Sequence, residues 1–110
     1  MTTRIISAPT IVAGRTLLPL RYAALAVGVS ADDILWDATR RTVTLLRGDR
    51  VVQLRIGDRT MTVNGVVIPL EVPATIRAGR TVLPIRAVAL ALRAQVDWNE
   101  TARTITVIAQ

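Results

Sequence analysis

Histidine, cysteine, lysine and phenylalanine are all missing from this sequence, and its aromatic residues are Trp36, Trp98 and Tyr22 alone. Without cysteine there are no disulfides, no thiolate metal sites and no thiol nucleophile, and the redox compartment stays open. Without histidine the usual general base and the commonest metal ligand are gone. Three aromatics are too few for a stacking platform that tracks single-stranded nucleic acid. Long hydrophobic runs are lacking too: the stretch from Ala23 to Val29 falls well short of the ~20 residues a membrane-spanning helix requires. MTTRIISAPT has no basic stretch followed by a long apolar run, so no signal peptide is expected there.

The chain is 51% hydrophobic and 20% charged over 110 residues, which predicts one compact globular domain with a conventional core. All fourteen basic residues are arginine; against eight acidic residues they give a net charge of +6. That balance favours anionic partners such as nucleic acid, wall polymers or acidic proteins. The arginines are scattered from Arg4 to Arg103, however, and run together only at Arg40-Arg41.

The octapeptide Gly14-Arg15-Thr16-Leu17-Leu18-Pro19-Leu20-Arg21 returns as Gly79-Arg80-Thr81-Val82-Leu83-Pro84-Ile85-Arg86, at an offset of 65. Ala24-Leu25-Ala26 matches Ala89-Leu90-Ala91 at the same offset, and beyond a loop Trp36 aligns with Trp98 and Arg41-Thr42 with Arg103-Thr104 at an offset of 62. Identities in patterned segments with an insertion in a loop indicate two copies of one structural unit. Each copy reads as strand, helix, strand, turn, strand. Gly14 and Gly79 suit turns, while Pro19 and Pro84 suit the entry to a helix. Apolar residues then recur at helical spacing: Leu20, Ala23, Ala24 and Val27 in the first copy, Ile85, Val88, Ala89 and Leu92 in the second. Gly28 provides a stop for the first helix, where the second copy carries Arg93.

Asp37 and Asn99 each open a turn that closes a hairpin, since their side chains can bond their own backbone in a turn. Between the copies Asn64-Gly65 lies between two apolar runs and predicts a tight type I′ hairpin. The expected fold is α+β: two strand-helix-hairpin units, residues 1–48 and 49–110, with antiparallel sheets packed on two short helices and a central Asn-Gly hairpin, together one domain.

The order Asn64-Gly65, Leu70, Pro73, Gly79-Arg80-Thr81, Pro84, Arg86, Trp98-Asn99 and Thr104 resembles the copper amine oxidase N-terminal domain family, also called the stalk domain. The likeness covers about Thr10 to Ile108, and its motif words occur twice. It implies a sheet packed around a helix in each unit and an accessory role in secreted and cell-surface bacterial proteins, apart from any copper centre. A complete unit of the family begins with its own Asn-Gly hairpin. Ahead of Pro9 only Met1 to Ala8 remain, so the first unit is shortened, and the sheet edge left open is expected to favour self-association.

No catalytic, cofactor or metal site is expected. Asp32-Asp33 is the only adjacent carboxylate pair and reads as a solvated loop or helix cap, not as two groups facing across a glycosidase cleft. Arg21 and Arg86 fall in a first helical turn, which the macrodipole disfavours for a cation. Two compensations are open: a salt bridge, Asp37 for Arg21 and Asp97 or Glu100 for Arg86, or an anionic ligand such as a wall phosphate or uronic acid. Trp36 and Trp98 share their strand faces with Ile34 and Val96 and are expected in the core, the alternative being exposed stacking on sugars. The expected role is a non-catalytic accessory module of a secreted or envelope protein, outside any membrane span, that spaces, docks or self-associates. The alternative is a binding module for an anionic polymer.

Overall fold

The computed structural model describes residues 2–7, 10–12, 14–99 and 101–109. The elements run β1 (Thr2–Ser7), β2 (Thr10–Val12), β3 (Arg15–Pro19), α1 (Leu20–Ala26), β4 (Ile34–Asp37), β5 (Thr42–Arg47), β6 (Arg50–Arg55), β7 (Thr60–Val63), β8 (Val66–Pro69), β9 (Thr75–Arg77), β10 (Arg80–Pro84), α2 (Ile85–Ala91), β11 (Gln95–Asn99) and β12 (Thr104–Ala109), with a single 3₁₀ turn at Ala31–Asp33 before β4. All paired strands are antiparallel and the helices are short, an α+β architecture.

Three sheets surround the two helices. Their strand orders are β1-β12-β11, β2-β3-β10-β9 and β4-β5-β6-β7-β8, so the five-stranded sheet runs unbroken across residues 48 and 49. The repeated octapeptides meet in the four-stranded sheet. There Leu18 lies opposite Leu83, Leu17 opposite Pro84 and Pro19 opposite Val82. Because Leu18 and Leu83 hold the same place in the two octapeptides, the pairing is centred on equivalent residues. Successive residues of a strand face opposite ways. Leu18 and Leu83 therefore enter the main core, while Leu17 and Val82 form a small separate cluster under Val72 on the other face.

Both helices start where proline dictates. Pro19 (φ −53°) and Pro84 (φ −70°) end their strands and stand at the N-caps, the place where a missing N–H costs nothing. The faces they bury are small: Ala23, Ala24 and Ala26 from α1, and Ile85, Val88, Ala89 and Ala91 from α2. Small faces let the helices approach the strands, and Val43, Leu45, Val52, Leu54, Ile105 and Val107 alternate with polar neighbours to close the core around them.

The two helix ends also correspond. Val29 N–H reaches Ala24 O at 2.9 Å and Ala94 N–H reaches Ala89 O at 2.8 Å, so Gly28 (φ 87°) and Arg93 (φ 61°) both sit in the left-handed position of a Schellman-type closure. A side chain there is strained, whereas glycine is not. Arg93→Gly is accordingly expected to stabilise the fold by about 0.5–1 kcal/mol, seen as a rise of a few degrees in Tm; a fall in Tm would contradict this closure.

Candidate functional site

The turn residues act on their own backbone. Asp37 Oδ1 accepts from Arg40 N–H at 3.1 Å and Asn99 Oδ1 accepts from Ala102 N–H at 2.9 Å, with Arg41 (φ 51°) and Arg103 (φ 53°) in matching left-handed positions. Asn64 (φ 50°) and Gly65 (φ 83°) carry the turn between β7 and β8, where Val63 pairs with Val66. Asn64 Oδ1 also accepts from Val51 N–H at 2.7 Å, tying that turn to the start of β6. Gly14 and Gly79 share a φ of 75°, and Ala78-Gly79 joins β9 to β10 as a two-residue turn with Arg77 opposite Arg80.

The structure corrects the expected salt bridges. Among the described residues the ion pair is Arg15 with Glu71, and neither Arg21 with Asp37 nor Arg86 with Asp97 is close enough to pair. Glu100 lies outside the described residues. Asp37 serves its own turn, and Arg21 and Arg86 are exposed, where water screens a charge beside a short helix without help from a carboxylate. The Arg15–Glu71 pair joins strand β3 to the loop after β8; both side chains are more than half exposed, so it contributes about 0–1 kcal/mol at most. Arg80, the counterpart of Arg15, is exposed.

Trp36 is a second correction: it is 46% exposed. It points to the core side of β4, opposite buried Val43, but β4 is the edge of its sheet and the core does not extend over it. The side chain of Trp98 lies outside the described residues.

No sequence pattern singles out Arg47. Its Nη1 donates to the Leu92 carbonyl at 2.8 Å, at the end of α2, while its guanidinium lies where a side chain on Gly28 would begin. One cation thus meets the C-terminal ends of both helices, where the helix dipole favours positive charge.

An open groove of about 910 Å³ lies beside α2. Ile85 and Ile105 form its floor, with Leu90 at the side and Arg15, Arg86 and Arg103 around it. No described side chain is both buried and polar, and no cluster of three or more carboxylates forms among the described residues. No helix of the described residues is long and apolar enough to cross a membrane.

Among curated proteins none matches the chain. The model of one family, described as the copper amine oxidase N-terminal domain, matches residues 2–107. With that match spanning nearly the whole sequence, the chain belongs to the copper amine oxidase N-terminal domain family.

Proposed function

We propose that this chain is a non-catalytic accessory module of a secreted or envelope-associated bacterial protein, and that it works by docking through an open sheet edge. Membership of the family supports the accessory role. Copper itself does not fit these residues: the chain has neither histidine nor cysteine, and its carboxylates are not gathered into a ligand set among the described residues. The same poverty of bases and nucleophiles argues against catalysis by the module.

One observation carries the docking reading. On β12, β1 takes the place that β6 takes on β5, yet the five-stranded sheet continues through β7 and β8 while the other ends at β1 among the described residues. We read the chain as two related units about an approximate two-fold through the Leu18–Leu83 pair, with the hairpin β7–β8 unmatched in one of them. The outer edge of β1 then offers a row of N–H and C=O groups, and a second copy supplies the natural complement: β1 against β1, joining two three-stranded sheets about a two-fold axis. The alternative, an arginine face for an anionic polymer, is less well supported, because the exposed arginines among the described residues are spread over two of the sheets, both helices and the turns between strands.

Sedimentation equilibrium tests this reading. The average mass is expected to climb from 11.9 kDa toward a dimer as concentration rises. In an antiparallel edge strand consecutive residues direct their N–H alternately inward and outward. Of Arg4→Pro and Ile5→Pro, one should therefore abolish association and leave the fold intact, and the other should disturb pairing with β12. A monomeric mass throughout would overturn the proposal.

A further inference from the structure

The groove beside α2 has the size of a ligand site and the wrong surface for an idle one. Leu90 is 80% exposed and Ile11 49% exposed, and both line it, so large apolar side chains stand in water beside the buried floor of Ile85 and Ile105. Concentrated apolar exposure of this kind marks a binding surface. Around it Arg15, Arg86 and Arg103 stand against the lone carboxylate of Glu71 among the described lining residues, and Arg15 already pairs with that carboxylate. Among the described residues Arg86 and Arg103 have no carboxylate partner, and they present two exposed guanidinium forks, shaped for carboxylates.

The occupant follows from this combination. No aromatic side chain is among the described lining residues to stack on a sugar ring, and a purely ionic polymer has no use for the apolar floor. A second copy of this basic chain would bring arginines to arginines. Ile11 belongs to β2, the edge strand of its sheet, which gives an extended backbone something to run beside. In an extended peptide alternate side chains face opposite ways, so one set meets the apolar floor and the other is free to reach the rim. We propose that the groove binds an extended acidic peptide segment of a partner protein, with apolar side chains over Ile85, Leu90 and Val96 and carboxylates at Arg86 and Arg103.

This proposal goes beyond the docking reading: its partner is a different protein, and it makes no use of the β1 edge. It is tested by fluorescence anisotropy with a labelled, end-capped short peptide alternating valine and glutamate. Saturable binding is expected, weakened about tenfold or more by Leu90→Glu, and as much by Arg86→Ala combined with Arg103→Ala. These side chains are exposed, and unchanged circular dichroism and Tm establish that the variants fold. Absence of saturable binding, indifference to Leu90→Glu, or displacement of the peptide by polyphosphate or laurate at comparable concentration would each overturn it. Peptide binding by a protein of strictly monomeric mass would remove the edge reading alone; a dimer that ignores the peptide would remove the groove alone.

Discussion

Leu83→Ala is expected to destabilise the protein by about 2–5 kcal/mol, a loss large enough to threaten folding at ambient temperature. Leu83 is fully buried, sits at the centre of the four-stranded sheet and faces its counterpart Leu18 across the strand pair. Cross-strand partners have Cβ atoms about 4.5–5.5 Å apart, so a cavity opened at either residue is lined by the other. The consequence is coupling: Leu18→Ala and Leu83→Ala should each be severe, while the double variant departs from their sum by about 0.5 kcal/mol or more. Leu90→Ala provides the contrast. It makes the same chemical change in α2 at a residue that is 80% exposed, and is expected within about 0.5 kcal/mol of the parent. Urea denaturation read at the midpoint distinguishes them, and equal effects at Leu83 and Leu90 would contradict the packing described.

The second large effect lies where the two helices end. Gly28 has a φ of 87°, and a Cβ there would stand 2.9 Å from Arg47 Nε and 3.0 Å from its Cζ. Gly28→Ala therefore carries two costs: left-handed strain of about 1–2 kcal/mol, and displacement of a guanidinium that donates to Leu92 O, a bond of the charged kind worth about 1.5–3 kcal/mol. The guanidinium can swing away, so the second cost is bounded by that bond. In an Arg47→Met background the bond is already gone, and Gly28→Ala should cost only the strain. Additive behaviour of the two substitutions would show that Arg47 does not join the helix ends.

What the sequence made legible is what short stretches decide. A single side chain makes each turn at Asp37 and Asn99, two adjacent residues make the one at Asn64-Gly65, and Pro19 and Pro84 set where the helices begin. The alternation of Val52 and Leu54 with Gln53 and Arg55 gives the buried and exposed faces of β6 directly. Long-range choices escaped. Arg15 meets Glu71 from 56 residues away, and Arg47 reaches Leu92 across 45. Neither pair has a local pattern, because each depends on which sheets lie side by side. Trp36 escaped for another reason: the alternation that turns it toward the core is the same on an edge strand as on a central one, and only the strand order shows where the core stops. The groove was equally hidden, since its lining comes from β2, β3, the loop after β8, α2 and the last hairpin, and each contributes one to four residues that are unremarkable where they stand in the chain.

Seen this way, Arg86 changes meaning between sequence and structure. Its repetition with Arg21 suggested one shared structural task, yet neither has a carboxylate partner among the described residues, and Arg86 alone of the two lines the groove. A residue that holds the same place in two matching octapeptides can meet different surroundings in each.

Docking through the edge of β1 is tested most directly by amide hydrogen exchange followed residue by residue over Thr2 to Ser7 at low and high protein concentration. The inward amides of β1, bonded to β12, should be protected at both concentrations. The outward ones, alternating with them, should exchange fast when dilute and slow when concentrated. Outward amides that stay fast at every concentration, or protection that grows instead along β4 or β8, would contradict the account.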